Sequence, residues 1–355
     1  MPFKIIRNDI TKVKADAIVN TANPLPTIGS GTDSAIYKAA GKKQLLAERE
    51  KIGIMYPGQA ASTPAFKLDA KYIIHTIGPV WVDGNHGERD ILRACYRNSL
   101  HLAAELSCKS IAFPLIATGA YGFPKDEALQ IALAEINRFL LENDMRIILV
   151  VFDKKAFELS GKLVEDIEEY IDEHEAEEIH AMEFSGNRSR EANIDRRRRA
   201  VLEWELSQQR NQEYLANHRH VVNARANAQQ SQEKSLEELL DGTGETFQER
   251  LLHLIDESGM SDSTVYKRAN MSKQLFSKIR CDVQYQPKKK TVISLAIALE
   301  LDLQQTKDLL SRAGYALSQS SRFDLIISYF ISRKKYNIIE INATLFEYGE
   351  PLLGY

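Results

Sequence analysis

The chain has 355 residues, 44% of them hydrophobic and 27% charged, with a formal net charge of −3; that length suggests two or three domains, and the hydrophobic share supports globular cores. Cys95, Cys108 and Cys281 are scattered and odd in number, which argues against a disulfide framework or a metal site and fits a reduced, cytoplasmic setting. No apolar run approaches the roughly 18–20 residues of a membrane span, and Met1-Pro2-Phe3-Lys4 runs straight into a strand, so neither a membrane segment nor a signal peptide is expected.

Phe3 to Arg7 reads as a short strand with Asp9-Ile10-Thr11 at its end, where Asp9 either closes an Asx turn or meets a ligand. Residues 15–20 form the next strand, whose apolar run suits a sheet covered on both faces. It ends at Asn20 and Asn23, two side-chain amides in the place where α/β folds put ligands. Gly29-Ser30-Gly31-Thr32-Asp33 then leads into a helix over 34–40 with a stop at Gly41. Glycines let backbone N–H groups approach a phosphate, and the helix start offers its positive end; the bland alternative is a tight turn. Asp33 reads either as a helix cap or as a carboxylate able to activate water.

Residues 58–63 and 72–77 continue the sheet, and His75 within it reads as a neutral core histidine. Residues 88–106 carry apolar side chains at helical spacing, and 128–141 repeat the pattern. Between them, Ile111-Ala112-Phe113 is a buried strand followed by a second glycine loop, Pro114 to Pro124, and a helix opening at Lys125. Two such loops can grip a diphosphate from opposite sides. Residues 146–152 form a late strand, with Phe152 at its end either stacking on a base or filling the core. This alternation predicts an α/β fold, a three-layer α/β/α sandwich around a mixed, mostly parallel sheet.

After an acidic stretch, residues 190–235 are rich in Arg, Gln, Asn, Ala and Glu, which suits a solvated helical arm or partial disorder. Arg196 to Arg199 read as a solvated face or a polyanion contact. Asp241-Gly242-Thr243-Gly244 breaks the arm, and helices follow near 247–255, from Ser261, over 272–280, 291–301 and 303–313, and at Leu325 to Ile331. The expected organisation is 1–175, a linker over 176–245, and an all-α part over 246–355.

Six ordered stretches carry a family likeness: Asn8 to Thr11, Asp16 to Asn23, Gly29 to Gly41, Tyr72 to Trp81, Leu92 to Leu100 and Pro114 to Pro124. Over residues 1–175 the chain resembles the macro domains, in particular the branch that hydrolyses ADP-ribose esters (the MacroD-like and O-acetyl-ADP-ribose deacetylase group). The resemblance implies ADP-ribose or an ADP-ribosylated protein as partner; no cofactor is expected, and no metal, because no His/Cys/Asp cluster has ligand spacing. It implies that Asp9 accepts from the adenine amino group with Ile10 beside it, that Phe152 stacks on adenine, and that the strand ending there neighbours the strand carrying the first loop. Asn20, Gly31, Thr32, Thr118, Gly119, Ala120, Tyr121 and Gly122 would hold the rest of the nucleotide. Asn23 and Asp33 would flank the distal ribose, Asn23 fixing a hydroxyl and Asp33 orienting or deprotonating a water. A binding-only sensor is the alternative. The chain departs from the family pattern at Asn8, Ser30 and Thr32.

Ser261 to Arg280 resembles the helix-turn-helix of Cro/phage-repressor-type domains. That implies contact with duplex DNA across 261–290 through Lys273, Gln274, Lys278 and Arg280. A protein-interaction bundle, or a homo-oligomer through the Leu325 to Ile331 helix, is the alternative.

Overall fold

Six strands make one mixed sheet in the order β1-β6-β5-β2-β4-β3. They are β1 (Phe3–Arg7), β2 (Ala17–Thr21), β3 (Ala60–Pro64), β4 (Tyr72–Thr76), β5 (Ser110–Pro114) and β6 (Arg146–Val151). All pairs are parallel except β3 with β4. The structure, a computed structural model, describes residues 2–152, 159–172, 174, 245–282 and 285–354. The linker expected over 176–245, with Arg196 to Arg199, lies outside the described residues apart from Glu245.

Four helices cover the sheet: α1 (Thr32–Ala40), α2 (Lys42–Ile52), α3 (Glu88–Glu105) and α4 (Lys125–Glu142). Because strand side chains alternate faces, Ile18, Ile73, Ala112 and Ile148 meet Ile36, Tyr37 and Leu45 of α1 and α2 in one core. Phe113, one residue from Ala112, points the other way and packs its ring against Tyr96 of α3, centroids 5.3 Å apart. The sandwich is therefore three layers deep.

Gly41 is the stop that the sequence predicts: it ends α1 at a φ of 110°, and the chain then starts α2 at once. One expectation needs correction. The strand ending at Phe152 was expected beside the strand carrying the first loop, yet β6 pairs with β1 and β5, so β5 separates it from β2. Strand order follows from how the crossovers pack, which composition does not encode.

A helix over residues 161–172, α5, precedes a helical C-terminal region: α6 (Phe247–Ser258), α7 (Asp262–Arg268), α8 (Lys273–Cys281), α9 (Lys289–Ala298), α10 (Leu303–Arg312), α11 (Arg322–Ser332) and α12 (Ile338–Glu347). Local sequence explains their starts. Ser261, Ser272 and Ser321 each accept an N–H of the first turn, and Thr246 with Glu249 and Asp302 with Gln305 form capping boxes. Among the described residues no helix is long and apolar enough to cross a membrane.

Residues 1–170 and 246–355 form one compact unit. Asn270, in the turn between α7 and α8, has a φ of +53°. Its amide accepts from the Phe3 N–H at 2.8 Å and donates to the Phe3 carbonyl at 3.1 Å. At Phe3 the free edge of β1 is thereby capped by a side chain, which takes up the two backbone groups that could pair there with another chain. Arg7 lies over the Phe346 ring, 5.2 Å from its centroid, and Lys267 donates to the Leu141 carbonyl of α4.

Candidate functional site

A cavity of about 600 Å³ opens at the carboxyl ends of β1, β2, β5 and β6, and chain segments leaving each of those strands line it. That volume lies within the range of small-molecule sites, roughly 300–1,000 Å³. Of the residues singled out from sequence, Asp9, Ile10, Asn23, Gly31, Thr32 and Asp33 line the cavity, as do Thr118, Gly119, Ala120, Tyr121 and Phe152. Asn20 and Gly122 do not. Asn20 is fully buried behind Asp33, and Gly122 serves the loop's own turn with a φ of +69°. Lys273, Gln274, Lys278 and Arg280 are exposed on α8; Arg280 pairs with Asp262, and Lys278 stands over the Tyr285 ring.

At the β1 end, the Asp9 carboxylate accepts from the Thr11 N–H and hydroxyl at 2.9 and 2.8 Å, closing a short 3-10 turn over Ile10–Lys12. The Asx turn and a cavity position coexist. Phe152 is 73% exposed and lines the cavity, so it does not fill the core.

At the opposite end the first loop places Asn23 and Asp33 about one glycine. A methyl group added at Gly29 would lie 3.1 Å from Asn23 Nδ2 and 3.2 Å from Asp33 Oδ2. A side chain there would press on both residues, a role that sequence reading left to a tight turn. The helix cap is Gly31, at a φ of +58° that L side chains rarely adopt, so Asp33 does not cap. Its carboxylate accepts instead from Asn20 Nδ2 at 2.6 Å and from the Gly29 N–H at 2.5 Å. Burial raises the Asp33 pKa above the ordinary 3.8, against the opposing pull of these two bonds and of Arg49.

Two further residues went unread. Arg49 is buried on α2 and donates to the carbonyls of Gly53, Asn23 and Pro24, fastening the Asn23 loop from behind. Lys125, the first residue of α4, lines the cavity. Charge in a helix ordinarily signals a solvated face, so neither stood out.

Asp83, His86 and Glu88 were also passed over, and their ligand atoms lie within 4.8 Å of one another. Burial works against the Glu88 charge, but N–H bonds from Val82, Gly84 and His86 outweigh it and hold the pKa down to about 2. That carboxylate organises its own loop, and none of the three residues lines the cavity.

A cleft at the carboxyl ends of parallel strands, entered by a glycine turn and a helix start, defines an α/β ligand-binding protein of the sheet-switch type. The family model for the macro domain matches residues 19–132. A macro domain-containing protein of Chlorobaculum tepidum is 49% identical over 137 residues, 39% of this chain and 79% of that protein. An O-acetyl-ADP-ribose deacetylase of Citrobacter rodentium is 42% identical over 165 residues, 45% of this chain and 93% of that protein. A solved Oceanobacillus iheyensis macrodomain with ADP is 38% identical, covering 43% of this chain and 84% of that one with a TM-score of 0.41. The chain belongs to the macro domain family.

Proposed function

We propose that the protein binds ADP-ribose in this cavity and hydrolyses esters of its distal ribose, releasing ADP-ribose from acidic side chains or acetate from O-acetyl-ADP-ribose. One observation carries the reading: Asn23 and Asp33 both stand beside Gly29 at the cavity wall, and the Asp33 carboxylate spends no bond on capping its helix. In this reading adenine lies between Asp9 and the Phe152 ring, and the diphosphate lies along the Gly31 and Thr118 to Tyr121 loops. Asn23 holds a ribose hydroxyl. Asp33 takes a proton from a water whose oxygen adds to the ester carbonyl, and as the bond to the sugar oxygen breaks Asp33 returns that proton to it, leaving a carboxylic acid and the sugar hydroxyl. The relatives named O-acetyl-ADP-ribose deacetylase support this chemistry. Incubation with a mono-ADP-ribosylated carboxylate and with O-acetyl-ADP-ribose, following free ADP-ribose and acetate, tests it. No release from either ester would leave a binding protein.

The loops can be tested separately by calorimetry with ADP-ribose. Gly31 and Gly119 line the cavity, and a Cβ at either meets no protein atom within 4 Å, so neither substitution is blocked by the fold itself. Gly31→Val is expected to weaken binding more than Gly119→Val, because only Gly31 also needs a positive φ, which costs an L residue about 1–2 kcal/mol. Equal affinity in both variants and the parent would put the diphosphate elsewhere.

A second reading, an ADP-ribose sensor joined to a DNA-binding region, has one observation in its favour. Lys273, Gln274, Ser277 and Lys278 are exposed on α8 while Phe276 and Ile279 face the bundle. Under it, the full chain retards duplex DNA with an affinity that falls steeply with salt, and Lys278→Ala lowers the salt slope by about one. Absence of a mobility shift at low salt removes it.

A further inference from the structure

Behind the cavity a line of buried polar side chains leads from the outer strand to Asp33, and the hydrolytic reading uses only its last member. Thr63 on β3, His75 on β4 and Asn20 on β2 share one face of the sheet. Asn20 is the register partner of His75, and Thr63 is two residues from Ala61, the partner of His75 on the other side. The Asn20 amide nitrogen lies 2.6 Å from Asp33 Oδ1 and 3.2 Å from His75 Nδ1, and His75 Nε2 lies 3.0 Å from Thr63 Oγ1.

The proton positions follow from chemistry. An ionised carboxylate only accepts, so the amide turns its nitrogen toward Asp33. The second amide hydrogen then faces Nδ1, which must accept it, leaving the ring proton on Nε2 toward Thr63. Burial, helped by the Arg49 charge, lowers the His75 pKa to about 3, so the ring stays uncharged at neutral pH.

Asn20 Oδ1 is buried and has no hydrogen-bond partner. An orphaned acceptor destabilises the fold, and a leucine of similar size would not carry that penalty. What the amide provides is its two N–H groups.

We propose that Asn20, oriented by His75 and Thr63, is a positioning residue that holds the Asp33 carboxylate ionised and in one orientation for ester hydrolysis. This deepens the hydrolytic reading above and rests on it. From the other elements around Asp33 come the Gly29 N–H, the Asn23 amide, the Arg49 cation of α2 and the phenols of Tyr37 and Tyr121. Arg49 also favours the ionised form. Burial first, then the Asp33 charge, pushes Tyr37 up to about 12 and raises Tyr121, so both phenols are neutral wherever Asp33 titrates.

The test measures two quantities on the full chain: the acid limb of kcat/KM for an ADP-ribosyl ester, and the ¹³C titration of the Asp33 carboxyl without substrate. Losing a charge-assisted donor should move both upward by about one pH unit or more in Asn20→Leu. His75→Leu should move them the same way by less, and Asn20→Leu/His75→Leu no further than Asn20→Leu. His75→Gln, which still offers an acceptor and a donor, should restore the parent values. Thr63→Val, close to isosteric, repeats the test with a smaller shift should a larger change prevent folding. An unmoved Asp33 titration in Asn20→Leu, or His75→Gln shifted as far as His75→Leu, overturns the proposal. Because the titration needs no turnover, a shift as expected in a chain that releases no ADP-ribose separates failure of the hydrolytic reading from failure of the relay.

Discussion

Asp33→Ala is expected to slow ADP-ribose release by about 10²–10⁴-fold, the usual contribution of a positioned base. Affinity for ADP-ribose should stay within about tenfold, because a group that acts on water in the transition state contributes little to ground-state binding. The raised Asp33 pKa sets the sign of the pH dependence. The carboxyl is protonated at a higher pH than an exposed aspartate, so activity falls on acidification starting above the ordinary 3.8. The same direction means that the buried carboxylate favours folding at low pH and loses that contribution as pH rises through its folded pKa. Steady-state kinetics with calorimetry on the same variant separates the two effects. Turnover unchanged in Asp33→Ala would remove the residue from the chemistry.

Arg49→Met should reduce stability by about 1–3 kcal/mol for each buried carbonyl left without a donor. Methionine fills much of the volume but offers no donor, so the Gly53 and Asn23 carbonyls lose the bonds they accept in the parent at 2.5 and 3.1 Å, while the Pro24 carbonyl keeps the Met55 N–H. Denaturant unfolding reads the change as a lower midpoint at constant slope. Turnover should fall as well, since the Asn23 loop loses its anchor. A loss under about 1 kcal/mol would mean that water replaces the guanidinium at those carbonyls.

Neighbouring residues show where sequence reading stopped. Asn20 and Asn23 were read together as amides at the end of one strand. In the fold Asn20 is still within β2, paired in register with His75, and faces inward, while Asn23 lies beyond the strand at the cavity wall. The period of two says that strand neighbours face opposite sides, but which side is buried depends on partner strands that the local pattern does not name. Arg49 shows the same limit for a helix. Lys42 to Ile52 is rich in charge, and α2 buries Arg49 only because it packs against the loop after β2.

The sequence by itself determined the elements that depend on nearby residues. Apolar runs make β2, β5 and β6, the Gly29 to Asp33 and Pro114 to Pro124 turns end strands and start helices, and Ser, Thr and Asp caps begin the C-terminal helices, because propensity and capping act within a few residues. Tertiary structure alone decided what depends on separated segments meeting. Such facts are the place of β6 between β1 and β5, the docking of Asn270 on the β1 edge, the setting of Gly29 beside Asn23 and Asp33, and the line from Thr63 to Asp33. A buried hydrogen bond needs its partner within about 3 Å, and no sequence spacing fixes that distance across 13 to 267 residues of chain.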